Sequence, residues 1–445
     1  MLMKIQLSDH FTYRKLFRFA LPSVIMMIFT SIYGVIDGLF VSNIVGTEPF
    51  AAINLIMPIL MIVGAFGFMM GAGGTAVVAK TLGEKRDADA NRYFSFIVYV
   101  TAALGFILAL FGFIFMEPLC KLLGAEGETL TYCISYGRIV ICAMPFFMIQ
   151  NLFQSFFIAA EKPKIGLAVT VAAGVTNIIL DAAFVALFRL GLEGAALATS
   201  LSQAVGGIVP IFYFARKNTS LLHLGTTKFY GRVLLKSATN GSSELMSNIS
   251  MSVVTLVYNY QLLKIAKENG VAAYGVIMYV SFIFIAIFIG YSISTAPIIG
   301  YHFGANNQSE LKNLFKKSTI VTLSTGMVMS AVAFICAYPF AMIFIGDDEV
   351  LMEMTVRGFR VFSASFIFSG FCIFSSSMFT ALNNGPISAA ISFMRTLVYQ
   401  LALVILLPLL LGLDGIWLSM LFAEALAIIT AFTIILIKRK KYGYL

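Results

Sequence analysis

Four carboxylates fall inside long apolar runs of the chain: Asp37, Asp181, Glu244 and Glu424. A charged side chain at membrane depth costs about 2.5–3.5 kcal/mol on insertion scales, so its presence there points to function. Tyr33 and Asp37 are four residues apart, as are Asn177 and Asp181. On a helix that spacing puts each pair on one face. Thr199 and Ser202, three apart, share another face. Asp37, Asn177, Asp181 and Thr199 offer two carboxylates, an amide and a hydroxyl in apolar surroundings. Such oxygens suit a hard cation, with Na⁺ the candidate metal. They also suit a shared proton, because two adjacent carboxylates cannot both stay ionised cheaply. The plainer alternative is that each polar group bonds a neighbouring helix. Tyr33, Glu244, Ser202 and Gln203 are the candidates to line a substrate cavity.

Composition dictates what must position these groups. The 445 residues are 60% hydrophobic and 11% charged, against about 25% charged in a soluble domain. Mean hydropathy is +0.93. The apolar runs approach or exceed the roughly 20 residues that cross a 30 Å hydrocarbon core. They lack the period-2 alternation of a β-barrel, which leaves helices to satisfy the backbone in lipid. Twelve spans are predicted, near 16–42, 50–79, 94–116, 130–159, 165–188, 194–214, 233–262, 272–300, 316–340, 350–381, 386–411 and 415–437. With both termini cytoplasmic, inner segments hold 21 of the 30 Lys and Arg. Outer loops hold 4, and the other five lie within spans. That bias sets the orientation and favours an even number of spans.

The net charge of +9 therefore reflects loop placement, and nucleic acid is not an expected partner. The five cysteines are odd in number and unclustered, which suggests neither a disulfide framework nor a zinc site. No Gly-x4-Gly-Lys-Ser/Thr run is present, so ATP hydrolysis is not expected. His10, His223 and His302 are scattered and offer no metal pair. The polar segment 1–18 precedes the first apolar run, and no cleavable signal is predicted.

The chain also repeats itself. Gly191-Leu192-Glu193-Gly194 recurs as Gly412-Leu413-Asp414-Gly415, 221 residues on. At that offset Pro118 meets Pro339, Gly137 meets Gly358 and Gly83 meets Gly304, and Pro163 meets Pro386 within two residues of it. Six spans in each half make the repeat parallel, with alternating access by rocking of the halves. The expected fold is an all-α integral membrane protein of twelve transmembrane helices, in two pseudo-symmetric six-helix bundles facing a central cavity. The expected divisions are an N-lobe at 1–218, a cytoplasmic linker at 219–231 and a C-lobe at 232–445.

Over nearly its whole length the sequence resembles the MATE (multidrug and toxic compound extrusion) family. The resemblance rests on the 6+6 repeat, on Ala20-Leu21-Pro22 leading to Asp37, and on Gly83 after span two. It rests further on Asn177-x3-Asp181, on Gly194-Ala195-Ala196-x-Ala198-Thr199, and on Asn240-Gly241-Ser242-Ser243-Glu244. Within the family the sequence is similar to the DinF-like and MepA-like prokaryotic branch. The resemblance implies a secondary-active multidrug efflux antiporter and not an enzyme. It exports organic cations and amphipathic drugs in exchange for Na⁺ or H⁺, with no cofactor beyond that ion. It implies a multi-pass cell-membrane protein working as a monomer. In that branch the ion site falls on Asp37, Asn177, Asp181 and Thr199, with Tyr33 beside it. In the NorM-like branch a helix-seven glutamate and a helix-ten aspartate also take part. Glu244 matches the first, while span ten carries no acid at 366–380. The rivals to this reading are a flippase, an intramembrane enzyme and a channel, the last of which forms more naturally by oligomeric symmetry than from one two-lobed chain. A lipid-linked sugar flippase of the same superfamily commonly has a basic cavity, whereas the candidates here are acidic. An intramembrane transferase needs clustered His or Asp-rich motifs, which are missing from the sequence.

Overall fold

The computed structural model describes residues 5–40, 44–346 and 348–445, and only the backbone at 35–40, 47 and 50. Among these residues the regular structure is helical throughout. The first half holds α1 (Tyr13–Phe40), α2 (Thr47–Gly83), α3 (Asp87–Ile114), the short α4 (Met116–Leu122), α5 (Gly127–Ala159), α6 (Pro163–Asp181) and α7 (Gly191–Ala215). The second holds α8 (Gly231–Gly304), α9 (Gln308–Ile335), the short α10 (Ala337–Ile345), α11 (Glu349–Ser363), α12 (Phe366–Ala381), α13 (Gly385–Phe393), α14 (Tyr399–Leu411) and α15 (Leu413–Tyr442). Two π-helical turns interrupt the pattern, Ala182–Leu187 after α6 and Met394–Val398 between α13 and α14.

Ten of the described helices are long and apolar enough to cross a membrane. One of them, α8, has 74 residues and would run about 110 Å at 1.5 Å per residue, far beyond a core of about 30 Å. It breaks at Lys267, φ 53° and ψ −147°, into limbs 231–266 and 268–304. The pair α11 and α12, bent by 50°, forms one further crossing. The described residues therefore cross twelve times, and the predicted span 350–381 is this bent pair.

The backbone repeats as the sequence does. Left-handed φ values occur at Gly46, Lys85, Gly124, Glu161 and Gly191, and again at Lys267, Asn306, Gly346, Asn383 and Gly412. Each partner lies 221 or 222 residues on. The glycines of the repeated tetrapeptide have φ +60° and +57°, a region that penalises any residue with a Cβ.

The bundles meet at one end, the end bearing Gly83 and Gly304. There α2 crosses both limbs of α8 with no room between backbones. A Cβ on Gly83 would overlap the carbonyl of Tyr301, and one on Gly304 would overlap that of Lys80. Gly73 and Gly241 meet the carbonyls of Ser237 and Met69 in the same way. The glycines of α2 thus serve close approach, the packing role that small residues play in membranes. The Asn383 amide donates to the Ala76 carbonyl across the seam at 3.0 Å. A hydrophobic cluster at this end joins Leu7, Phe11 and Phe19 to Ile298, Leu314, Phe379 and Tyr444.

Each bundle is preceded by a segment that reaches the third membrane helix of the other. Before α1, the Phe11 N–H donates to Glu310 on α9 at 2.9 Å, and Lys317 donates to the Phe11 carbonyl at 2.7 Å. Before α8, the His223 N–H donates to Asn91 on α3 at 2.6 Å, and the Gly225 N–H donates to Ser95 at 3.0 Å. These crossed segments tie the closed end together.

Candidate functional site

In the first bundle α1 and α6 lie side by side and parallel. Leu167 packs on the cluster of Met26 and Met27, and seven residues later Gly174 lies against the rings of Phe29 and Tyr33. Gly174 is what lets Tyr33 come so close. One turn on, Asn177 and Asp181 occupy the same stretch of α6, 2% and 0% exposed. Asp181 is the last residue of regular helix before the π turn Ala182–Leu187. Such turns recur at functional sites, because they redirect side chains and free backbone groups. Asp37 lies on α1 one turn beyond Tyr33, and its side chain is outside the described residues.

α7 packs against α6 and brings Thr199, Ser202 and Gln203. The Ser202 hydroxyl donates to the Thr199 carbonyl at 2.8 Å, so it serves its own helix. Thr199 Oγ1 and Gln203 Oε1 are buried with no hydrogen-bond partner among the described residues. A buried acceptor left unmade costs about 1–3 kcal/mol. Two such oxygens, on the helix packed against the one that buries Asn177 and Asp181, offer the kind of ligand that a cation or proton donor takes. The structure thus joins Tyr33, Asn177 and Asp181 at one helix interface and sets Thr199, Ser202 and Gln203 on the adjoining helix.

Glu244 stands apart, in the second bundle. It lines a cavity of about 240 Å³ with Tyr258, Tyr274, Cys372, Ser376 and Arg395. Its carboxylate makes no ion pair or hydrogen bond among the described residues. Lys236, two turns earlier, donates to the Asn383 carbonyl at 2.7 Å and so is not its partner. Span ten contributes Cys372 and Ser376 to the wall, where the NorM-like pattern has an aspartate. Arg357, also near a span start, pairs with Asp414 of its own bundle, and Arg360 lies over the Phe334 ring at 5.4 Å. Neither bridges the two bundles.

The group that sequence reasoning left without a role is Arg395. It sits in the π turn Met394–Val398. Its Nε lies 2.9 and 3.0 Å from the two carboxylate oxygens of Glu424, and its Nη2 lies 2.7 Å from one of them. Glu424 is 0% exposed, and Arg395 keeps 12% toward the cavity it lines. The available signal was one unassigned charge of each sign inside spans eleven and twelve.

The family model MatE matches this chain twice, at residues 22–183 and 245–406. The chain belongs to the MatE family. The second match begins 223 residues after the first (245 against 22), so this MatE chain carries the family unit once per bundle. Asp37, Asn177 and Asp181 fall within the first unit and Arg395 within the second. Among similar proteins, the multidrug export protein MepA of Staphylococcus haemolyticus (strain JCSC1435) is 27% identical over 427 residues, covering 95% of this chain and 93% of that one. A crystal structure of MATE in complex with MaL6 superposes with a TM-score of 0.94 at 21% identity, covering 100% of both chains. An outward-facing multidrug resistance MATE transporter of the MOP superfamily gives 0.91 at 22%, covering 97% of this chain and 96% of that one. The fold is therefore the two-bundle MATE fold.

Proposed function

We propose that this MatE chain is a secondary-active multidrug exporter, not an enzyme, that exchanges organic cations and amphipathic drugs for Na⁺ or H⁺ by alternating access. The observation that carries the reading is the buried Asn177–Asp181 face against Tyr33, with the unpartnered oxygens of Thr199 and Gln203 on the next helix. Asp37, Asn177, Asp181 and Thr199 hold the coupling ion in the N-lobe, residues 1–218. Ion binding there biases the lobe between cargo-bound and released forms, by no more than its differential affinity for the two. Glu244, in the C-lobe (232–445), attracts the cationic end of cargo. The name of the MepA relative, matched over nearly its full length, supports the assignment.

The positive-inside bias makes both termini and the linker 219–231 cytoplasmic. The closed end bearing Gly83 and Gly304 is then the cytoplasmic one, and this conformation faces outward. A cysteine placed at Leu445 is expected to be labelled only from inside, and labelling only from outside overturns this topology. The chain acts as a monomer, since one copy supplies both bundles. Efflux of a fluorescent organic cation from proteoliposomes, under separately imposed sodium and proton gradients, tests the function. Accumulation driven by one gradient is expected, and efflux indifferent to both refutes antiport.

A further inference from the structure

We propose that the groove between α9, α11 and α15, at the end away from the closed seam, holds one aminophospholipid, with an acyl chain along the groove, the phosphate on Arg360 and the ammonium group at Glu353. The inference lies outside the transport reading and holds whichever cargo is moved.

The groove accounts for the chain. Met327, Ala331, Phe334 and Ile335 follow at helical spacing along α9, and α15 adds Leu418 and Leu421. Small side chains at Ser330, Ala331, Ser363 and Ala364 leave a space of about 600 Å³. Met327, Phe334 and Ile335 are 56%, 53% and 73% exposed, so in a membrane this surface meets lipid. Water in the groove would wet apolar walls at about 25 cal/mol per Å², and an acyl chain fills it without that cost. From Met327 to Ile335 the helix rises about 12 Å, most of the depth of one leaflet in a core of about 30 Å.

The mouth accounts for the phosphate. Arg360 stands beside Phe334, the next-to-last residue of α9, and its guanidinium lies 5.4 Å over that ring. It makes no hydrogen bond or ion pair among the described residues, whereas its neighbour Arg357 is taken by Asp414. Snorkelling to water explains a lone arginine at this level. It does not explain an apolar groove that opens onto the same guanidinium, which matches a chain continued by a phosphate.

The acids account for the amine. A second hollow, of about 710 Å³, shares Arg360 and Val361 with the groove and is lined further along α11 by Glu353 and Glu349. Neither carboxylate has a partner among the described residues. Glu353 and Arg360 are seven residues apart on one face, about 10 Å of helix rise. The phosphate and terminal amine of one headgroup bridge that separation with a contact at each end. A purely anionic headgroup meets repulsion from the two acids.

The other bundle supplies the contrast. Arg138 lies over the Phe113 ring at 5.3 Å, and these two are the repeat partners of Arg360 and Phe334, 222 and 221 residues earlier. Arg138 is half-buried, with its Nε enclosed. The positions matching Glu353 are Thr131 and Tyr132. The Arg–Phe pair is thus common to both bundles, and the acid beyond it belongs to the second alone.

The test is a lipid titration of the full-length protein in detergent micelles, read by native mass spectrometry. Phosphatidylethanolamine and phosphatidylglycerol with identical chains are the two probes. Wild type is expected to hold one phosphatidylethanolamine about threefold to fivefold more tightly than phosphatidylglycerol, the worth of one exposed ion pair. Arg360→Gln should weaken both lipids by about fivefold, the worth of one cation beside a lipid phosphate. Glu353→Gln should weaken phosphatidylethanolamine alone and so abolish the preference. Arg138→Gln should leave both within about twofold. Both test positions are exposed, and thermal unfolding in lipid-free detergent checks the fold of each variant. If Arg360→Gln misfolds, Arg360→Glu, Glu353→Arg decides: it keeps the net charge, reverses the order of the two groups and should lose the preference. Equal affinity of wild type for the two lipids, a Glu353→Gln variant that keeps the preference, or an Arg360→Gln variant that binds as wild type overturns the inference. So does an equal loss in Arg138→Gln, which would make the effect one of charge and not of this groove.

Discussion

Spans five and eleven occupy the same place in the two repeats, and they bury opposite charges. Span five carries Asp181 at the mouth of its π turn, and span eleven carries Arg395 within its own. Between Pro163 with Pro386 and Gly191 with Gly412 the repeat offset runs from 223 to 221, which sets Arg395 opposite residues 172–174 of α6 and, beyond Gly412, Glu424 opposite Gln203. Gly174 admits the rings of Phe29 and Tyr33, so helices close up at that point of the first bundle. Arg395 cannot be packed over in that way, and a cavity stands beside it. A buried guanidinium requires a counter-ion, and Glu424 supplies it where the other bundle keeps a neutral amide. Duplication has thus repeated the left-handed turns and the glycine crossing of Gly83 and Gly304, while the π turns fall at different points of their spans and the chemistry of the interior has diverged. On the proposed function, coupling belongs to the first bundle and cargo recognition to the second.

The largest effect is expected at Asp181. Asp181→Asn keeps the shape and removes the charge, so gradient-driven efflux should fall to background while the protein stays folded. Coupling free energies are commonly about 1–3 kcal/mol, or 5–150-fold, and losing this one uncouples transport. Transport assays in proteoliposomes decide it. A folded variant pumping at the wild-type rate would erase the functional difference between the bundles.

Next comes Arg395→Gln alone, which leaves Glu424 charged, buried and unpaired. Breaking such a pair costs about 3–5 kcal/mol, and thermal unfolding should show a large fall. Adding Glu424→Gln should restore most of it, because two amides can bond each other. No loss in the single variant would mean that Glu424 finds another partner, and the pair would not be what separates the two bundles.

The seam ranks third. Gly83→Ala and Gly304→Ala each place a methyl against an opposing carbonyl. Overpacking of this kind costs about 1–3 kcal/mol, and here the cost falls on the closed form. A shift of 1.4 kcal/mol is tenfold in an equilibrium, so cysteine labelling beside Ala76 should rise about tenfold. The two substitutions should behave alike, since they are repeat partners. Unequal effects would show that the seam is less symmetric than its backbone.

Much of this was legible in the sequence. Spans follow from run length, and the repeat from Gly191 and Gly412 with their flanking residues. The Asn177–Asp181 face follows from the helical period alone, because both residues lie on one helix. Arg395 and Glu424 are 29 residues apart on different helices, and no periodicity joins them. The π turns leave no local signature, since they arise where packing forces an extra residue into a turn. The break at Lys267 was readable as a loop, but its left-handed φ belongs to a residue type that rarely adopts it. The crossing of residues 5–12 onto α9 was hidden for the same reason as the ion pair: Phe11 and Glu310 are brought together by the tertiary fold.

The smallest effect is expected at Glu244, and it sharpens the comparison most. Its carboxylate faces a cavity with room for water, so its attraction for a cation is partly screened. Screened pairs contribute about 0–1 kcal/mol, and the upper end corresponds to a rise in dissociation constant of about fivefold for Glu244→Gln. Coupling should be untouched: the ratio of efflux with and without the driving gradient stays at the wild-type value. Loss of coupling with unchanged affinity would move the proton or sodium function into the second bundle and reverse the assignment. Unchanged affinity and unchanged coupling together would leave Glu244 with a packing role only. Titration of a fluorescent organic cation against the folded variant, at two salt concentrations, separates these outcomes. A charge interaction in a wet cavity weakens as salt rises, and the amide variant should lose that salt dependence.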